Sequence, residues 1–200
     1  MLIDYFMDID IFNFDIKTKG PISIEFLNRD IHTFQDAADF IRKLPYGRNI
    51  DKNNLLSVFI DNRGTCSTKH ALLKVLADEN GLRNIKLMLG IFKMSGFNTP
   101  RISKTLLNHN LQYIPEAHNY LKIESQILDY TKLNSRPSNF ENELIEEIEI
   151  APDQIADFKV MYHTEFLKRW LEQNPDIPFT IDELWQIREQ CISDLSNREK

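Results

Sequence analysis

The stretch Cys66-Ser67-Thr68-Lys69-His70-Ala71-Leu72-Leu73-Lys74-Val75-Leu76-Ala77-Asp78-Glu79-Asn80 carries the strongest helical signal in this chain. Ala71, Leu72, Leu73, Val75, Leu76 and Ala77 cover more than one helical face, which predicts a helix buried in the middle of a domain. Gly81 stands where the C-terminal cap belongs. Ahead of the helix, Asp61-Asn62-Arg63-Gly64 is a turn sequence, and Gly64 lets the chain turn sharply before Thr65 and Cys66. Cys66 is thereby expected at a helix N-terminus.

Working outward, Ile9 and Ile11 with Phe12, Phe14 and Ile16 predict one extended segment, and Ile22, Ile24 and Phe26 a second, joined as a hairpin. Thr33 with Asp36 opens a helix from Phe34 to Leu44 that ends at Pro45-Tyr46-Gly47. Leu55 to Ile60 is a short apolar run, read as buried. Downstream, Ile85, Leu87 and Leu89 alternate and continue into Ile91 and Phe92 as a strand. Residues 96–113 read as a polar connection. Ile114 to Ile123 is extended, Glu124-Ser125 turns, and a second strand returns through Ile127 to Asp129. Ser135 to Asn142 reads as a loop. Beyond Pro152, Ile155, Phe158, Tyr162, Phe166 and Trp170 recur at helical spacing. Thr180 and Glu183 form a capping box for a last helix over Ile181, Leu184, Ile187, Cys191, Ile192 and Leu195. The fold class expected is α+β, one domain over residues 1–200. Its core is about 33–131, a central helix on an antiparallel sheet, and a helical extension of about 141–200 packs as a hairpin.

The bulk properties exclude several function classes. A chain of 200 residues with 42% hydrophobic and 27% charged residues is long enough to bury a core without disulfides or a structural metal. A net charge of −6 argues against nucleic acid as a partner, which would call for a basic face. Two cysteines, Cys66 and Cys191, make no disulfide framework and fit a reducing, cytoplasmic location. The first twenty residues carry Asp4, Asp8, Asp10 and Asp15 and lack a signal peptide's basic start and apolar core. No apolar run reaches the roughly eighteen residues of a membrane span, so no membrane partner is expected.

Three residues carry chemistry. A cysteine is a nucleophile as a thiolate, and a helix N-terminus or an adjacent imidazolium favours that form. Cys66 has the first setting, and its alternative is an inert buried thiol. His118 is the candidate base that takes the thiol proton, and Asp129 the carboxylate that orients it. Their separation suits a hairpin. Each alone reads equally well as an ordinary strand histidine and a strand-end carboxylate. For the oxyanion, the Cys66 N–H is a natural donor. Tyr46 and Asn62 are candidate second donors by chemistry, with a packed aromatic and a turn asparagine as the alternatives. His70, four residues after Cys66 on the same face, is either an auxiliary base near the sulfur or a packing residue. Cys66, His70 and His118 together would be a zinc set without the usual C-x-x-C pair. Cys191 falls on an apolar stripe, and His32, His109 and His163 have no telling neighbours. Trp170 and Trp185 fit helix packing. The glutamates of residues 141–149 read as a solvated face, or as a surface that binds a basic partner.

From Gly64 to Thr131, about a third of the chain, the sequence resembles the transglutaminase-like core of the papain-like thiol enzymes. Gly64-Thr65-Cys66 is similar to the glycine-any-cysteine nucleophile motif, and Leu72-Leu73 through Gly81-Leu82 to its helix and glycine turn. Gly90-Ile91-Phe92 matches a glycine followed by an apolar or aromatic pair. His118-Asn119-Tyr120 and Asp129-Tyr130-Thr131 resemble the histidine and aspartate motifs, with Tyr120 in place of the more usual tryptophan. The resemblance implies Cys66 as nucleophile, His118 as base and Asp129 as its partner, with no metal or other cofactor. It implies acyl transfer or hydrolysis on a peptide, protein or small amide or acyl substrate. It equally covers relatives that kept the fold as binding or scaffold modules and lost turnover. Substrate and oligomeric state stay open.

Overall fold

The computed structural model describes residues 13–196. It holds helices and a four-stranded antiparallel sheet, an arrangement of the α+β class. The helices are α1 (Pro21–Leu27), α2 (Phe34–Lys43), α3 (Ser57–Ile60), α4 (Cys66–Glu79), α5 (Ser103–Asn108), α6 (Asp157–Gln173) and α7 (Ile181–Ser196). The strands are β1 (Ile85–Ser95), β2 (Tyr113–Ile123), β3 (Gln126–Leu128) and β4 (Leu144–Glu149), ordered β3-β2-β1-β4.

The central helix stands where its composition predicts. Ala71, Leu72, Leu73, Leu76 and Ala77 of α4 are fully buried, and α1, α2, β1 and β2 pack around it. Each such leucine contributes about 2–3 kcal/mol of apolar burial before chain entropy is charged against it. Gly81 follows with φ +85°, the conformation that glycine takes most readily. Helix α2 is capped by Thr33, whose side chain accepts from the Asp36 N–H.

The expected strand at Ile22–Phe26 is instead helix α1. Ile22 and Phe26, four residues apart, are buried together, and Pro21 occupies the first turn, where its missing N–H costs nothing. Gly20 offers no capping side chain. The Glu79 carboxylate, from the far end of α4, accepts the Ile22 N–H at 3.1 Å, the Ser23 N–H at 2.6 Å and the Ser23 hydroxyl at 2.6 Å. A tertiary cap therefore decides a segment whose local pattern reads as extended. Of the expected first strand, residues 9–12 lie outside the described residues.

Two other readings are corrected and a third is refined. Leu55–Ile60 is only partly buried. Ser57 and Val58 of the one-turn α3 are inside, whereas Ile60 is exposed. The polar connection at 96–113 contains α5, because Ile102 and Leu106 dock against α7 and Thr105 bonds the Asp194 carboxylate at 2.6 Å. The acidic run continues into the edge strand β4: Glu141, Glu143 and Glu149 are exposed, as a solvated face requires, whereas Glu146 and Glu147 are half-buried. Glu147 bonds the Tyr120 hydroxyl and the Lys122 ammonium, Glu146 accepts from Tyr162 at 2.7 Å, and Glu149 meets Lys86 at 3.0 Å. Charges along an exposed strand edge also deter pairing with other chains.

The last two helices pack against each other as expected, with the reciprocal Thr180–Glu183 cap opening α7. Cys191, Leu184 and Trp170 belong to the core, as their stripes predict. None of the described helices is long and apolar enough to cross a membrane.

Candidate active site

The approach to Cys66 is built from two short segments lying side by side. The Gly64 N–H donates to the Pro45 carbonyl and the Gly47 N–H to the Gly64 carbonyl, each at 3.2 Å. The left-handed residue of the turn is Asn62, at φ +50°. Gly64 is required for space: a Cβ there would lie 2.9 Å from Lys69 Cγ and 3.0 Å from Thr68 Oγ1. Thr65 then caps α4, accepting the Thr68 N–H at 3.4 Å, while Thr68 Oγ1 accepts the Thr65 N–H at 3.0 Å. The cap leaves the amides of Cys66 and Ser67 at the open end of the helix, beside the sulfur, where the helix field favours negative charge.

His118 comes from β2, directly opposite Gly90 of β1. Strand β3 is short, its last pairing being Leu121 with Leu128, so β2 continues beyond it and Asp129 turns away from the strand end. His118 Nε2–H donates to Asp129 Oδ2 at 3.2 Å. The other oxygen, Oδ1, accepts the Thr131 N–H at 2.9 Å and the Thr131 hydroxyl at 2.6 Å. Phe140, Phe92 and Tyr120 enclose the imidazole, with centroids 4.8, 6.1 and 6.1 Å away. With Nε2 engaged, Nδ1 is the nitrogen available to the thiol. Buried Lys69 secures the platform, donating to the Leu44 carbonyl at 2.6 Å and the Thr131 carbonyl at 2.8 Å.

Electrostatics pull the thiol toward its charged form. Burial alone would raise the Cys66 pKa. The Lys159 ammonium, the His118 imidazolium and hydrogen bonds from His118 and the Asn119 backbone outweigh it and bring it to about 6. Burial likewise disfavours the His118 cation, but Asp129 and the Cys66 thiolate raise its pKa to about 10. Burial of Asp129 is overcome by His118, which keeps the carboxyl well below the usual range. These influences favour a thiolate–imidazolium pair backed by a carboxylate.

Lys159 of α6 was not singled out by sequence reading. Its Nζ lies 3.7 Å from Cys66 Sγ and donates to Ser67 Oγ at 2.9 Å and Asn119 Oδ1 at 2.8 Å. Asn119 is held in turn, donating through Nδ2 to the Met88 carbonyl at 2.9 Å. A signal was present: Lys159 sits on the stripe through Ile155, His163 and Phe166, so helical spacing puts its ammonium on the buried face.

Of the auxiliary candidates, Tyr46 lines both cavities that open beside Cys66, and burial raises its pKa, so its phenol stays protonated as a donor. Asn62 sits in the exposed turn and lines neither cavity, which removes it as an oxyanion donor. Of the two readings of His70, auxiliary base or packing residue, the geometry favours the second, a fixed structural group. Its Nδ1 bonds the Cys66 carbonyl at 2.8 Å and its Nε2 accepts the Tyr130 N–H at 2.8 Å, so neither nitrogen is free for the sulfur. Burial lowers its pKa to about 4, which keeps it neutral. The same engagement removes it from a zinc set with Cys66 and His118, and among the described residues no group of three or more His, Cys, Asp or Glu is arranged to hold a metal ion.

Two cavities meet at Cys66. One, of about 320 Å³, is lined by His118, Asp129, Phe92, Phe140 and Lys132 among others. The second, of about 620 Å³, is lined by Ser67, Lys159, Arg48, Lys52, Arg188 and Trp185 among others. Cys66, Tyr46, Glu116 and Ile192 line both. Comparison of the chain with protein-family models, with curated proteins and with solved structures finds no match.

Proposed function

We propose that this chain is a transglutaminase-like thiol enzyme with a papain-like core, transferring or hydrolysing acyl groups through Cys66. One observation carries the reading. A buried thiol at a helix N-terminus stands where two cavities meet, facing an imidazole that bonds a carboxylate, with a lysine ammonium 3.7 Å from the sulfur.

In this mechanism the Cys66 thiolate attacks the substrate carbonyl carbon, forming a C–S bond as the carbonyl π pair moves to oxygen. The Cys66 N–H and the Tyr46 hydroxyl are the donors to that oxyanion. Collapse breaks the C–N bond, and His118 Nδ1–H passes its proton to the departing amine. His118, now neutral, takes a proton from water or an acceptor amine, which attacks the thioester. The C–S bond breaks and the thiolate returns. Asp129 holds the tautomer throughout. These steps draw on no metal or other cofactor, and a reducing cytoplasmic compartment would keep Cys66 as a thiol. Substrates are amides, peptides or acyl compounds, not nucleic acids.

The reading is tested by iodoacetamide labelling of Cys66 against pH, followed by peptide mass, beside His118→Ala. Fast labelling well below pH 8 that collapses in the variant is the expected result. An ordinary thiol profile, unchanged in the variant, sinks it. That outcome would favour a second reading, a binding module that kept the fold without turnover. The observation in its favour is that Cys66 is only 6% exposed.

A further inference from the structure

We infer that the larger cavity is the acyl-donor site and that it takes an acyl group bearing a carboxylate. This rests on the thiol reading above and adds the substrate class. The direction follows from proton transfer. A leaving amine must receive its proton from His118, and His118 lines only the smaller cavity. Leaving group and incoming acceptor therefore use that side of the sulfur. The acyl portion occupies the other side, the cavity of about 620 Å³.

The lining of that cavity is cationic. Arg48, Lys52, Lys159 and Arg188 face it, against the carboxylates Glu116 and Glu189. The two arginines consume both carboxylates. Arg48 Nη2 meets the Glu189 oxygens at 2.7 and 2.9 Å, while Arg188 bonds Glu116 through Nε at 2.8 Å and Glu189 through Nη1 at 2.6 Å. Lys52 has a loose contact with the fully exposed Asp157 at 3.6 Å. Lys159, only 9% exposed, makes its close contacts with the neutral oxygens of Ser67 and Asn119 and with the sulfur, while Glu116, the carboxylate that feels its charge, is already bound by Arg188.

The thiolate is thus the negative charge in direct contact with Lys159. Thioester formation consumes that charge: the sulfur's electron pair becomes the C–S bond, and the amine departs with the proton of His118. The buried ammonium would then share only Glu116, whose two oxygens Arg188 already holds. A carboxylate on the acyl group restores the balance, with Lys52 at the cavity mouth as a second attraction. Of the remaining titratable groups of the lining, Tyr46 is kept protonated by burial, and His163 is held neutral by burial and bonds the Pro115 carbonyl at 2.8 Å.

The test uses two activated esters of nearly equal shape, 4-nitrophenyl 4-carboxybenzoate and 4-nitrophenyl 4-carbamoylbenzoate. Acylation of Cys66 is followed by intact mass and nitrophenolate release. The carboxylate ester is expected to acylate at least tenfold faster, and the ratio is expected to fall toward one in Arg48→Gln/Lys52→Gln, or in wild type at high salt. Equal rates for both esters in wild type, with Cys66 acylated, overturn the anionic site and leave the thiol reading standing. Acylation by neither ester, with an ordinary thiol profile in the labelling experiment, overturns both.

Discussion

His70 Nε2 accepts the backbone N–H of Tyr130 at 2.8 Å, and the same ring reaches the Cys66 carbonyl through Nδ1. One neutral imidazole thereby ties helix α4 at Cys66 to the residue that follows Asp129. The ring is fully buried. Replacing it by leucine leaves the half-buried Tyr130 amide without this partner, at a cost of about 1–3 kcal/mol. Urea unfolding of His70→Leu at pH 7 checks this.

The same group makes a pH prediction. Its folded pKa lies near 4 against an ordinary 6.5, so between those values the unfolded chain binds a proton that the native state refuses. Stability therefore falls as pH drops from 6.5 to 4, by on the order of 3 kcal/mol for this group. The wild-type protein should lose more stability across that window than His70→Leu, in parallel denaturation series. The Cys66 pKa is lowered and the His118 pKa raised by their pairing, and their linked contributions oppose each other above the acid window, which therefore reports mainly on His70 and the carboxylates common to both proteins.

Lys159 is predicted to set the thiol's acidity jointly with His118. Burial raises the Cys66 pKa, and Lys159 is the largest of the opposing influences. Lys159→Met should move the midpoint of Cys66 alkylation upward from about 6 by a unit or more, while Lys159→Arg keeps much of the depression. An unchanged midpoint in the methionine variant would show that the ammonium does not act on the sulfur.

Asp129→Asn should keep the fold and lose turnover. The amide still accepts from Thr131, but it cannot stabilise the imidazolium and permits the wrong tautomer. A fall of about a hundredfold or more in Cys66 acylation is expected, by analogy with carboxylate removal in serine triads. Circular dichroism separates this from unfolding, and activity within a few fold of wild type would remove Asp129 from the mechanism.

Gly64→Ala tests the entry to the helix. The new Cβ would meet Lys69 and Thr68 side-chain atoms at 2.9 and 3.0 Å, and Lys69 is itself locked by two carbonyls. A loss of about 1–3 kcal/mol is expected from thermal unfolding, together with slower Cys66 labelling as the capped turn shifts.

The sequence by itself determined the elements whose signals are local. The α4 pattern, the Thr33 and Thr180 caps, the alternation of β1 and the length of the β2–β3 hairpin all depend on neighbours a few residues apart, and all stand as read. Cys66, His118 and Asp129 were legible for the same reason, since a helix start and a hairpin specify where their side chains begin. Tertiary structure alone decided the rest. Pro21–Leu27 is a helix because Glu79, more than fifty residues on, caps it. The acidic run is a strand because β1 offers it an edge and Tyr120, Lys122 and Tyr162 offer its glutamates partners. His70 serves as a brace because Tyr130 arrives beside it, and Lys159 meets the sulfur because α6 folds back across the helix N-terminus. Caps, charges and buried amides are satisfied by whatever side chain is nearest in space, and chain order records that proximity only within a turn or a hairpin.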